Sequence, residues 1–131
     1  MNWLIVVFLL VSSSNLYASD LMKIRMVNAI IGEAEGEGYE GMLAVACAIR
    51  NRGTLNGVYG EKSRRVLERQ YSSHTFVLAV RAYEESAKRD IVDGADVWGT
   101  KSDVEIFKKT EWFKKYKLAK HIGNHYFYKR R

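Results

Sequence analysis

The chain has no proline, one cysteine, and no glycine-rich phosphate loop or dinucleotide fingerprint. The lone Cys47 excludes an internal disulfide framework and a cysteine-rich zinc site. Without a phosphate loop, a nucleotide-driven enzyme has no motif to rest on. Repeats, low-complexity tracts and linkers are also missing, and nothing in the sequence explains the missing proline. What is there is 131 residues, 47% hydrophobic and 27% charged. That is the length of one domain and too apolar for a disordered chain. A chain this size buries about two thirds of the surface its unfolded form exposes, enough for a real core. The formal net charge of +6 points to an acidic partner, with nucleic acid the first class to test.

Trp3 to Val11 is a run of nine apolar residues, followed by Ser12, Ser13 and Ser14 and then Leu16-Tyr17-Ala18. A spanning helix needs roughly 20 predominantly apolar residues. A shorter run ending in polar and then small residues reads as a secretory signal peptide, residues 1–18, although its start carries no Lys or Arg. A buried first helix is the other reading. The expected mature domain is 19–131, secreted or periplasmic. Cys47 lies within Met42 to Ile49, where a small buried hydrophobe is the default.

Within 19–131 the pattern is that of an α+β, mostly α-helical domain. Met26, Ala29, Ile30 and Glu33 follow i, i+3, i+4, i+7 and predict a helix over 21–35, stopped by Gly36 and Gly38. Met42, Val45, Ala46 and Ile49 predict a second over 39–52, closed by Gly53. Further helices are expected at 61–70 and 74–89, and a turn at Asp93-Gly94. Residues 116–121 and 125–129 read as a β-hairpin joined through Gly123-Asn124.

Residues 32–41 hold four glutamates and four glycines, which composition alone would make a solvated turn. Glu33, however, shares a helix face with Ile30, Ala29 and Met26. Burial and the negative end of a helix both disfavour an ionised carboxylate, the setting a general acid needs. Glu35, about 200 degrees away on an ideal helix, should face solvent. Glu37 follows Gly36 and either turns back toward Glu33 or serves as a structural hydrogen-bond acceptor. Glu40 suits the N-terminal dipole of the second helix.

Glu33-Ala34-Glu35-Gly36-Glu37-Gly38-Tyr39-Glu40-Gly41, then Val45-Ala46 and Ile49-Arg50-Asn51-Arg52, resembles the opening motif of the SleB-type cell-wall hydrolases. These are the catalytic domains of spore-cortex-lytic enzymes and related phage and bacterial lysins. The resemblance continues at Gly94-Ala95 and Trp98 and ends in Ile122-Gly123-Asn124-His125-Tyr126-Phe127-Tyr128. Between Arg52 and Asp93 only Gln70-Tyr71-Ser72-Ser73 loosely matches. Gly38 stands where the family often has Pro, and Asp96-Val97-Trp98-Gly99 departs from its aromatic–Asn pair. The resemblance implies a small lysozyme-like fold and a cofactor-free lytic transglycosylase that cleaves peptidoglycan between N-acetylmuramic acid and N-acetylglucosamine. It puts the catalytic acid/base on Glu33. Glu37, Tyr39, Trp98, Asn124, His125 and Tyr126 are the expected substrate-binding residues, Trp98 and Tyr126 foremost. No separate wall-binding domain accompanies the motif, so a cortex-specific role is not expected. A single carboxylate fits this chemistry. Hydrolytic glycosidases usually place two, about 5–5.5 or 6.5–9.5 Å apart, whereas here the muramic acid 6-hydroxyl is the nucleophile.

Other constellations point elsewhere. His121 and His125 have the i, i+4 spacing of a helical zinc pair, but Gly123-Asn124 lies between them and no His-Glu-x-x-His occurs, so no metal is expected. Cys47 with His125 could form a thiol amidase, yet a nucleophilic cysteine needs an electropositive, partly exposed site. The alternatives to a transglycosylase are an N-acetylmuramoyl-L-alanine amidase, a hydrolytic muramidase, or a non-catalytic basic wall binder. The charge is uneven. Residues 1–107 hold 12 Lys+Arg and 14 Asp+Glu, whereas 108–131 hold nine basic residues and Glu111 alone. For an exported monomer without a nucleic-acid motif, this stripe predicts docking to anionic envelope polymers and not to nucleic acid. Neutralising Lys114, Lys115 and Lys117 should then weaken sacculus binding more than cleavage of short soluble glycans.

Overall fold

The computed structural model describes residues 3–131, with side chains described from Ser19 onward. The expected signal peptide, 1–18, therefore lies outside the residues whose side chains are described. Helix α1 (Trp3–Ala34) begins well before the expected residue 21. No glycine or proline occurs from Trp3 to Ile31, so nothing local interrupts the helix. Among the described residues no helix is long and apolar enough to cross a membrane.

A short 3-10 turn, Glu35–Glu37, links α1 to α2 (Gly38–Arg52), where Gly38 takes a positive φ of 73°. Helix α2 is the centre of the molecule: Gly41 through Ile49 are all buried. A helix apolar all round must be surrounded. Alanines at 44, 46 and 48 let its neighbours approach closely, and Cys47 is one more small buried group. Gly53 ends α2 in the left-handed conformation, its N–H returning to the Ile49 carbonyl.

The expected helix over 61–70 is shorter: a 3-10 turn at Gly60–Lys62 and α3 (Arg64–Leu67), capped by Ser63. Helix α4 (Ser73–Ser86) starts at a Ser72 cap and buries Ala79 and Ala82 against the core. The Asp93-Gly94 turn leads into β1 (Val97–Gly99) and α5 (Lys101–Phe107), neither of which the sequence pattern predicts. A capping box opens α5: Thr100 accepts from the Asp103 N–H, and Asp103 accepts from the Thr100 N–H. After a 3-10 turn at Trp112–Lys115 come β2 (Tyr116–Ile122) and β3 (His125–Arg130), the expected hairpin. Strand β1 pairs antiparallel with β3, giving the order β1-β3-β2 and setting Trp98 across from Phe127. Phe127 is fully buried and fastens the sheet to the helices.

Candidate active site

Ile49-Arg50-Asn51-Arg52 ties α2 to three neighbours. The Arg50 guanidinium donates to Ser86 Oγ and the Tyr83 carbonyl on α4, both at 2.7 Å. Asn51 Nδ2 donates to the Ala95 carbonyl at 3.0 Å, fixing the approach to β1. Arg52 donates twice to the Asn56 carbonyl and reaches the Asp96 carbonyl at 3.4 Å. The motif thus positions the loop at 53–60 and the start of β1, the two lips of a cleft.

This open cleft, about 740 Å³ in volume, contains Glu33. Glu33 is half-buried in the last turn of α1. Its Oε1 accepts the Gly60 N–H at 2.9 Å and its Oε2 accepts Trp98 Nε1–H at 3.3 Å. The first bond requires backbone to touch backbone. A Cβ on Gly32 would strike the Gly60 carbonyl, and one on Gly60 would lie 2.6 Å from the Ala29 carbonyl oxygen. Only glycine at both positions brings the loop onto the helix. The half-buried Glu61 carboxylate takes two hydrogen bonds from Arg25, at 2.8 and 3.1 Å, which pin the same loop to α1. The Arg25 guanidinium holds the Glu61 carboxyl below its ordinary range.

Asp103 is the other carboxylate lining the cleft among the described residues, and its Oδ2 is engaged by the N–H and hydroxyl of Thr100. Aromatic groups supply much of the wall. Tyr59 is 71% exposed and Trp112 42% exposed. Trp112 packs edge-on against Tyr116 and tilted against Phe107, with ring centroids 5.5 and 5.4 Å apart. The sequence reading missed Tyr59, Phe107, Trp112 and Tyr116. Aromatic density at 107–116 was the one available signal, since Tyr59 arrives through the glycine contact.

The remaining expected residues separate into other places. Glu37 does not turn back toward Glu33. Its Oε2 accepts the Asn124 N–H at 3.0 Å and its Oε1 lies 3.7 Å from His125 Nδ1, so it fastens the β2–β3 turn. Gly123 takes a positive φ of 58° there, and a Cβ on it would displace the Glu37 carboxylate. Asn124 and Tyr126 line a second, shallower depression with Glu37 and His121, in which Tyr126 stacks on His121 at 4.0 Å. His125 is buried and lines neither depression. Tyr39 lies outside both, its hydroxyl donating to Glu85 at 2.9 Å; burial and that carboxylate push the phenol up. Glu35, expected to face solvent, is instead half-buried in an ion pair with Arg65, because the 3-10 turn rotates it toward α3.

Cys47 is buried in mid-helix near the Arg89 carbonyl, and burial pushes its thiol up. His121 and His125 are on different strands, one exposed and one buried. Among the described residues no group of three or more His, Cys, Asp or Glu converges to hold a metal.

No family model and no curated protein sequence matches the chain. Two solved structures do. The catalytic domain of the germination-specific lytic transglycosylase SleB from Bacillus anthracis shares 28% identity, with a TM-score of 0.57 over 80% of this chain and 91% of that one. The catalytic domain of the Bacillus cereus SleB protein shares 26% identity, with a TM-score of 0.56 over 82% of this chain and 89% of that one. In sequence and in the path of its backbone, this chain is similar to the SleB catalytic domains, the family that its acidic motif and its C-terminal hairpin resemble.

Proposed function

We propose that this protein is a peptidoglycan lytic transglycosylase, acting outside the cytoplasm as an exported monomer, with Glu33 as its general acid/base. The observation that carries the reading is the Glu33 carboxylate in an aromatic-walled cleft, held at both oxygens by N–H donors. Likeness to two SleB catalytic domains, that of Bacillus anthracis being a lytic transglycosylase, supports the same chemistry.

The two oxygens of Glu33 are not equivalent. Oε1 is anchored by a backbone N–H at 2.9 Å, a donor that cannot swing away. Oε2 has the longer bond, 3.3 Å to an indole, and is the oxygen that exchanges the proton. Protonated there, Glu33 gives its proton to the glycosidic oxygen as the C1–O4 bond breaks. The carboxylate then takes the proton of the muramic acid 6-hydroxyl while O6 bonds to C1, closing a 1,6-anhydro ring. Glu33 ends as it began, and no water is consumed. With Asp103 committed to the start of α5, a one-carboxylate reaction fits this cleft better than a hydrolysis needing two. Exposed faces of Tyr59, Trp98 and Trp112 offer stacking surfaces for the sugars. Outside the cleft, the lysines of the C-terminal segment hold the enzyme to anionic envelope polymers.

Digestion of purified sacculi followed by mass spectrometry tests the reading. The wild type should yield anhydromuramic ends, and Glu33→Gln should slow their formation by roughly 10²–10⁴-fold, the usual worth of a general acid/base. Reducing muramic ends would make the protein a muramidase, and released stem peptides an amidase. A fully active Glu33→Gln variant would remove Glu33 from the mechanism.

A further inference from the structure

The cleft receives two cations, Lys115 from the 3-10 turn before β2 and Arg130 from β3. Tyr116 pairs across the ladder with Arg130, and the Arg131 N–H donates to the Lys115 carbonyl at 2.9 Å. Lys115, Tyr116 and Arg130 therefore line the cleft together beside Trp112. Among the described residues, neither Lys115 nor Arg130 makes an ion pair or a side-chain hydrogen bond. Nearby Lys108, Lys114 and Lys129 are satisfied by Glu105, Glu111 and Asp93. The cleft's own carboxylates are held elsewhere, Glu33 by Gly60 and Trp98 and Asp103 by Thr100. Two unanswered positive charges beside a half-open indole form a site for an acidic sugar: the ring stacks and the charges take its anion.

We infer that Lys115 and Arg130 form an anion subsite for a carboxylate carried on the 3-O-lactyl arm of muramic acid, so that the preferred substrate is the carboxylate-bearing muramoyl residue. The inference rests on the glycan-strand reading above and names the substrate class within it. That carboxylate has two sources, the lactyl group itself or the stem peptide attached to it. A muramic unit whose arm is uncharged offers the two cations nothing.

The experiment uses soluble glycan strands freed of phosphate polymers, in three forms. One keeps its stem peptides, one is stripped by an amidase to the bare lactyl carboxylate, and one has its carboxylates converted to methylamides. Wild-type KM should rise roughly tenfold on the methylamide strands, the worth of two partly exposed charge pairs, with kcat changed by less than about twofold. In Lys115→Gln/Arg130→Gln this discrimination should collapse toward one, and Lys115→Arg/Arg130→Lys should restore it. Comparing the first two strand types identifies which carboxylate is read. Wild-type indifference to methylamidation, or full discrimination by the double Gln variant, overturns the inference. Equilibrium binding by Glu33→Gln separates this from the catalytic reading. Carboxylate-dependent binding by that variant, with no anhydromuramic products from the wild type on any strand, would sink the transglycosylase and leave the subsite standing.

Discussion

Gly60 is the position at which the fold makes its most exacting demand on the site. In Gly60→Ala the new Cβ lies 2.6 Å from the Ala29 carbonyl oxygen, 2.7 Å from Glu33 Cγ and 2.9 Å from the Glu33 nitrogen. Two of these are backbone atoms of α1, which cannot yield without breaking the helix. The loop must retreat by about 0.8 Å to reach an ordinary 3.4 Å contact. The same retreat stretches the 2.9 Å bond from Gly60 N–H to Glu33 to about 3.7 Å, no longer a hydrogen bond. Overpacking of this kind costs about 1–3 kcal/mol, or roughly 4–12 °C of Tm in a domain this size. A carboxylate displaced by nearly 1 Å should lose on the order of 10²-fold in rate. Gly36→Ala is the control, since its Cβ meets nothing within 4 Å, and it should match the wild type or gain about 0.4–1 kcal/mol. Thermal melts and initial rates of anhydromuramic-end formation read both effects. If Gly60→Ala melts and turns over like the wild type, the loop-to-helix contact is not what orients Glu33.

Three other outcomes follow from the same geometry. Trp98→Phe keeps an aromatic ring, smaller than the indole, but removes the N–H on Glu33 Oε2, so kcat should fall roughly tenfold with KM nearly unchanged; a change confined to KM would make Trp98 a stacking surface only. Because Arg25 holds Glu61 below its ordinary range, the pair stabilises the fold fully above roughly pH 4.3 and loses that contribution as pH falls through the depressed value. Urea unfolding of the wild type and Glu61→Gln should therefore differ at pH 6 and converge as acid protonates the Glu61 carboxylate, and a pH-independent gap would refute the linkage. Lys117→Gln/Lys120→Gln, on exposed β2 positions outside the cleft, should weaken sacculus binding at low salt while sparing cleavage of short glycans; equal losses on both would refute surface docking.

The helical half of the fold and its hairpin were legible because they repeat. The stripe that ends at Glu33 and the nearly unbroken apolar run of α2 are periodic signals, and Gly123-Asn124 marks its turn directly. Strand β1, with three residues, is too short to show alternation. The only local sign of α5 is the Thr100–Asp103 capping spacing. Glu33 could be found because helix geometry alone assigns its face. Its partners could not: Gly60 comes from a loop with no period, brought in by glycine meeting glycine across 28 residues of chain. Glu37 lies near Glu33 in sequence, and Gly36 alone leaves its direction open. The 3-10 turn between them instead sends it to the hairpin, with Asn124 and His125 beside it.

The basic segment shows the same limit in its electrostatics. Read along the chain, 108–131 is one stripe of nine cations. Folded, it divides: three of its lysines find acids, Lys115 and Arg130 line the cleft, and Lys117 and Lys120 remain on the outside of β2. The pairing register makes the division, since it sets Tyr116 opposite Arg130 at the cleft and Lys117 opposite Lys129 one residue on. Like charges opposed across a ladder cost stability, and the Asp93 carboxylate offsets that cost at Lys129. Substituting Lys114, Lys115 and Lys117 as a group would therefore confound docking with cleft binding. The two effects separate only when Lys115 is paired with Arg130 and Lys117 with Lys120.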